Sequence, residues 1–153
     1  DLISAYDLHR DDWGIAGCPV NGPALDAQQD AVVAAWYTGG EHAGVHAAFS
    51  TDGGGTFGSP IALAGDSALG PVDGAGGSPT AVVIWIDSRD DKATVMQRLI
   101  SPGRELRDAS VVSTVQTGRR SGYPRVCRSG DSTIAVWTAK DPKQGLEAAL
   151  LAD

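Results

Sequence analysis

A proline and a tryptophan recur at nearly constant separation three times along the chain: Pro23 with Trp36, Pro71 with Trp85, and Pro124 with Trp137. The separations are 13, 14 and 13 residues, and successive tryptophans stand 49 and 52 residues apart. A repeat of that period constrains the architecture strongly, because each unit must be the same small motif stacked on its neighbour. Each tryptophan closes an apolar run: Val32–Trp36, Val82–Trp85 and Thr133–Trp137. A further run follows each of them (Val45–Phe49, Thr94–Ile100, Leu146–Leu151), and another follows in the first two units (Ser59–Leu63, Asp108–Ser113). The 20 glycines, with Pro, Ser and Asp, punctuate the chain throughout, as short strands and tight turns require and long helices do not. Four short strands in roughly fifty residues is the signature of a propeller blade.

The expected fold is therefore all-β, with about three four-stranded antiparallel blades. They span 22–63, 70–113 and 123–151 of a single unit covering 1–153. Within residues 1–9, Ala5-Tyr6-Asp7-Leu8 reads as the outer strand of a preceding blade, or as the missing fourth strand that closes the last one. Propellers have roughly four to eight blades around a channel, so three leave edges and an inner face open. The missing blades then come from a longer chain, or from a homodimer whose two arcs complete a ring of about six. An open β-sandwich is the alternative all-β reading.

Acidic residues outnumber basic ones by 19 to 12, giving a formal charge of −7. That balance argues against nucleic acid and anionic membrane surfaces as partners. No apolar run approaches the length of a membrane-spanning helix. The chain opens at Asp1 with no initiating Met and no basic-then-apolar leader, as a processed or excised piece does. Cys18 and Cys127 stand far apart and form no metal-spacing motif; a bridge, two separate thiols, or pairing with another segment all fit. His9, His42 and His46 have no partner at metal-ligand or triad spacing, so no metal or cofactor is expected.

One loop is more specific than the rest. Between Val45–Phe49 and Ser59–Leu63 the chain reads Ser50-Thr51-Asp52-Gly53-Gly54-Gly55-Thr56-Phe57. Flanked by strand-like runs, it reads as a hairpin loop in which Asp52 accepts N–H groups, glycines supply positive φ, and Phe57 folds back as an apolar plug. The order Ser-x-Asp-x-Gly-x-Thr-aromatic resembles the Asp-box (BNR) loop of sialidases and sialidase-like β-propellers. Gly17–Ala24, Val32–Trp36, Gly122-Tyr123-Pro124-Arg125 and Arg128-Ser129-Gly130-Asp131 extend the resemblance to bacterial secreted proteins of that kind, of which this chain looks like the C-terminal portion. Two departures stand out. In the second unit Ser101–Leu106 occupies the loop where another Asp box could sit, and the Phe/Tyr-Arg-Ile-Pro word bearing the first substrate-binding arginine of sialidases does not occur.

The resemblance implies a secreted or cell-envelope protein and a glycan ligand, either cleaved by a retaining exo-glycosidase acting on sialosides or bound by a non-catalytic scaffold that takes glycan or protein. It makes Ser50, Asp52, Gly54, Thr56 and Phe57 structural and puts the ligand on the opposite rim, at the loops between second and third strands and between blades. Sialidases use a Tyr nucleophile, with a Glu as its base and three arginines holding the substrate carboxylate. Tyr123, which follows Gly122 at the head of an innermost strand, stands in the corresponding place. Glu41 is the Glu expected on that rim, and Arg89, Arg120 and Arg125 are the candidate carboxylate binders. Asn21 and Trp13 are the further ligand contacts. Trp36, Trp85 and Trp137, equivalent in every unit, are expected to pack blade against blade.

Overall fold

The computed structural model describes residues 5–14, 21–76, 79–103, 107–141, 143 and 145–151, except the side chains of Arg119 and Arg120. Every unit of the repeat is one antiparallel sheet. The first holds β1 (Ala24–Gln28), β2 (Ala31–Thr38), β3 (Gly44–Ser50) and β4 (Ile61–Ala64), hydrogen-bonded in chain order. The second holds β5 (Ala68–Gly76), β6 (Ala81–Arg89), β7 (Lys92–Ile100) and β8 (Ser110–Val115) in the same order. The third has three strands, β9 (Arg125–Ser129), β10 (Ser132–Thr138) and β11 (Leu146–Leu151). A 3₁₀ turn at Gly118–Ser121 leads into it.

Local chemistry sets these boundaries. Asp90 and Asp91 both take positive φ, 49° and 58°, and form the two-residue turn that lets β6 fold back on β7 with matched twist. Gln29 and Gly130, at 55° and 58°, serve the turns that follow β1 and β9. The strands alternate apolar residues towards both faces, as strands covered on both sides do. In β6, Val83 and Trp85 point one way while Val82, Ile84 and Ile86 point the other, and all are buried.

The sheets stack face to face in chain order through two apolar layers. Val33, Ala35, Val45, Ala47 and Phe49 of the first sheet meet Ala81, Val83, Trp85 and Ile100 of the second. Val82, Ile84, Ile86 and Val95 of the second meet Val126, Ala135 and Trp137 of the third. Burying each Val, Ile and Phe of these two layers contributes roughly 1.5–3 kcal/mol. Across the first junction β5 lies against β1 and β2, and across the second it lies against β9. Two carboxylates tie those strands: Asp26 accepts the N–H of Gly76 at 2.7 Å, and buried Asp73 accepts that of Val126 at 2.9 Å.

Trp85 and Trp137 sit in the inter-sheet layers, 1% and 5% exposed, each facing the preceding sheet. Trp36 has the same place in its sheet but is only half-buried. Its face is crossed by the segment 5–13: the Tyr6 hydroxyl donates to the carbonyl of Gly54, His9 lies 5.6 Å from the Trp36 ring, and Trp13 meets Tyr37 edge-on at 5.6 Å. Ala5–Leu8, expected as an outer strand, are in no strand, and Tyr6 bonds the Ser50–Phe57 loop. Residues 1–4 lie outside the described part.

Candidate functional site

In each sheet the turns after the first and third strands lie at one end, and the turns after the second at the other. Gly53 N–H donating to the carbonyl of Asp30 at 2.8 Å ties the first kind of turn together. Ser88 N–H donating to the carbonyl of Ser67 at 2.8 Å ties a second-strand turn to an inter-sheet link. The molecule thus has a loop-anchoring end and an opposite rim. Asn21, Glu41, His42, Arg89 and Tyr123 belong to the rim.

The Ser50–Phe57 loop is held by its own side chains at the anchoring end. Ser50 Oγ donates to Asp52 Oδ1 at 2.6 Å and accepts the N–H of Gly54 at 2.9 Å. Thr56 donates twice to Asp52, through its N–H at 2.8 Å and its hydroxyl at 2.7 Å. The Ser50 hydroxyl, then both Thr56 donors and the N–H of Gly55, hold the Asp52 carboxyl down to about 2, against a small opposing effect of desolvation. Gly53 and Gly54 take φ of 70° and 89°, and Phe57 is half-buried. All three of these hydrogen bonds to Asp52 come from its own loop, so the carboxylate serves as a turn-former there.

On the rim the nominated residues divide. Arg89, its side chain 76% exposed, lies 3.5 Å from the buried carboxylate of Asp87 and donates to Ser67 Oγ at 3.1 Å; Ser67 in turn donates to Asp87 at 2.9 Å. Arg125 pairs with Asp73 at 3.3 Å, the same carboxylate that receives Val126 N–H. Both arginines therefore neutralise carboxylates that tie strands together. Arg120 lies in the 3₁₀ turn before β9, and its side chain is outside the described part. Tyr123 is 55% exposed just before β9. It follows Gly122, whose φ of 68° and closeness to the Thr138 hydroxyl admit no Cβ without displacement. Asn21 reaches the carbonyl of Leu69 at 3.4 Å and packs on Gly70, linking the heads of β1 and β5. Trp13 lies against Gly39 and covers Tyr37. Glu41 is exposed in the turn after β2. Tyr123 and Glu41 belong to the third and first sheets, with the second between them in the stack.

A cleft of about 680 Å³ opens where the segment 5–13 leaves the first sheet, lined by Asp11, Asp12, Glu41, His42 and His46 among others. Partial burial pushes the Asp11 carboxyl up, but hydrogen bonds from the Thr38 hydroxyl and the Trp13 and Asp11 N–H groups, with His9 nearby, outweigh it and lower the pKa. His46 stacks on Trp36 at 6.0 Å and bonds the carbonyl of His42 at 2.9 Å. Of these residues the sequence reading placed Glu41 on this rim, and it gave no role there to His9 or His46. The signal for His46 was strand register: it stands directly opposite Trp36. Among the described residues no cluster of His, Cys, Asp or Glu could hold a metal ion. Cys127, on β9, is exposed and has no disulfide partner among the described residues, while Cys18, Arg104 and Glu105 lie outside the described part. No helix among the described residues is long and apolar enough to cross a membrane.

Comparison with protein-family models, with curated proteins and with solved structures finds no match to this chain.

Proposed function

We propose that this protein is a sialidase-like Asp-box propeller scaffold that binds a glycan at the rim of second-to-third-strand turns and does not cleave it. The observation that carries this reading is the commitment of Arg89 to Asp87 and of Arg125 to Asp73. An arginine already engaged with a carboxylate of its own fold has to give up that contact to clamp the carboxylate of a sialoside. The placement of Tyr123 and Glu41 on separate sheets favours the same side. Support for the propeller comes from the face-to-face order of the sheets and from the contact of β5 with the first sheet on one side and with β9 on the other. The network of Ser50, Asp52 and Thr56 fits an Asp box that anchors a turn at the end away from the ligand.

What the rim offers is amide, phenol, carboxylate and imidazole groups from Asn21, Tyr123, Glu41 and His42, a set suited to hydroxyl-rich ligands. Titration of the labelled protein with neutral and sialylated oligosaccharides, followed by NMR, tests this. Shifts are expected at Asn21, Tyr123 and their neighbours, with Ser50, Asp52 and Thr56 unmoved. Shifts confined to the Ser50–Phe57 end, or no shift with any glycan, refute it.

A further inference from the structure

Asn21 is the only asparagine of the chain, and Gly22 follows it. Two aspartates, Asp52 and Asp73, also stand directly before glycines. In all three pairs the glycine nitrogen can close a small ring on the side-chain carbonyl of the residue before it, because glycine has no Cβ to obstruct the approach and turns freely about its backbone. The fold shuts two of the three. Gly53 gives its N–H to the carbonyl of Asp30 at 2.8 Å, and the Asp52 carboxylate, held ionised by Ser50 and Thr56, resists attack. Asp73 is buried in β5 and accepts the N–H of Val126, while Gly74 stands in the ladder opposite Val83. Asn21 and Gly22 are left open. They precede β1 and lie in no strand, Gly22 is exposed, and no atom lies within 4 Å of the place a Cβ would take on it. The Asn21 side chain lies half-buried over Gly70, and the bond it makes there is long, from Nδ2 to the carbonyl of Leu69 at 3.4 Å.

We infer that Asn21 is a site of spontaneous deamidation, with water as the co-reactant. The backbone nitrogen of Gly22 attacks Cγ of Asn21. A C–N bond forms and closes a succinimide, the bond from Cγ to Nδ2 breaks, and ammonia leaves carrying the proton of the Gly22 amide. Water then opens the ring at either carbonyl. Cleavage between Cγ and the Gly22 nitrogen leaves an aspartate in an ordinary backbone. Cleavage between the main-chain carbonyl carbon and that nitrogen leaves an isoaspartyl link, with the chain running through Cγ. Nothing is oxidised or reduced: an amide becomes a carboxylate, and the formal charge of −7 gains one more negative unit. The consequence falls on the junction of the first and second sheets. The Asn21 amide donates across the heads of β1 and β5, and a carboxylate has no proton to give, so its oxygen faces the Leu69 carbonyl unpaired. The reaction needs no ligand on the rim.

Incubation of the folded 153-residue chain in mildly alkaline buffer, with mass spectrometry of its fragments, tests the inference beside a synthetic peptide of residues 20–25. A single neutral hydrogen bond slows such a reaction by no more than about tenfold. Position 21 of the folded chain is therefore expected to convert within about tenfold of the peptide's rate, with the mass change of NH2 replaced by OH and with separable aspartyl and isoaspartyl products. Asp52 and Asp73 are expected to yield no isoaspartate over the same period. Gly22→Ala, for whose Cβ there is room, is expected to keep the circular dichroism spectrum and to convert more slowly than the wild type. Conversion slower than the peptide's by more than about tenfold overturns the inference and means that the packing on Gly70 holds the amide. Equal rates in the wild type and Gly22→Ala overturn it as well, because the glycine is then not what opens the site. Isoaspartate that appears at Asp52 or Asp73 before position 21 overturns the assignment of Asn21 as the open pair.

Discussion

The carboxylate of Asp73, on β5, accepts the backbone N–H of Val126, on β9, at 2.9 Å, across the junction of the second and third sheets. The same oxygen lies 3.3 Å from the guanidinium of Arg125. Asp73 is 6% exposed, so its removal leaves a buried N–H without an acceptor and unties β9. Asp73→Ala is expected to destabilise the protein by about 2 kcal/mol. Asp26→Ala, which loses the half-buried acceptor of Gly76, is expected to cost about 1 kcal/mol. Urea denaturation with unchanged slope checks both; an Asp73→Ala effect near zero would show that the sheets are held by apolar packing alone.

The indoles of Trp85 and Trp137 are equally buried but differently served. Trp137 Nε1 donates to Glu147 at 2.9 Å, whereas among the described residues Trp85 Nε1 finds no acceptor, because Met96 stands in the register position of Glu147. Glu147→Ala should therefore cost about 1–2 kcal/mol, and Met96→Gln, which brings a neutral acceptor to Trp85, should gain about 1 kcal/mol. Thermal unfolding of the two variants beside the wild type reads the opposite signs.

The Ser50–Phe57 loop makes a pH prediction whose sign follows from Asp52. Its folded pKa, about 2, lies below the ordinary 3.8, so the loop binds the ionised form better than the unfolded chain does. The stabilisation is fully present above 3.8 and is lost as pH falls through about 2. NMR titration of the Asp52 carboxyl should give a midpoint near 2, and the amide protection of Thr56 should fall across the same window. Asp52→Asn should remove that pH dependence. A midpoint at the ordinary value would mean that Ser50 and Thr56 do not hold the carboxylate.

Arg89 and Arg125 are exposed partners of buried acids, and exposed ion pairs contribute little. Arg89→Ala and Arg125→Ala should each cost no more than about 1 kcal/mol. Asp87→Ala should cost more than Arg89→Ala, because Ser67 loses its acceptor as well. Neither arginine variant should change glycan affinity. A tenfold or greater loss (about 1.4 kcal/mol) in either would place that guanidinium in the ligand site.

The repeat made most of the strand plan legible. A tryptophan with alternating apolar neighbours at a fixed period needs a covered face on either side, and Trp85 and Trp137 have it. The bonding of Asp52 was equally legible, because its partners Ser50 and Thr56 are within a few residues. Distant pairings left no such trace. Nothing near Arg125 in sequence announces Asp73, and nothing near Tyr6 announces Gly54; the first contact exists only once the second and third sheets are stacked, the second only once the leading segment meets the loop after β3. The partial exposure of Trp36 was illegible for the same reason, since the repeat makes all three tryptophans equivalent and only the order of the sheets sets the first apart.

The central claim, binding at the rim without cleavage, is tested most directly by incubating the protein with a fluorogenic sialoside under conditions where NMR shows glycan bound. The account predicts no release of fluorophore above the uncatalysed background, with the wild-type chain and Tyr123→Phe indistinguishable. Turnover by the wild type that Tyr123→Phe abolishes would contradict it and make Tyr123 a nucleophile.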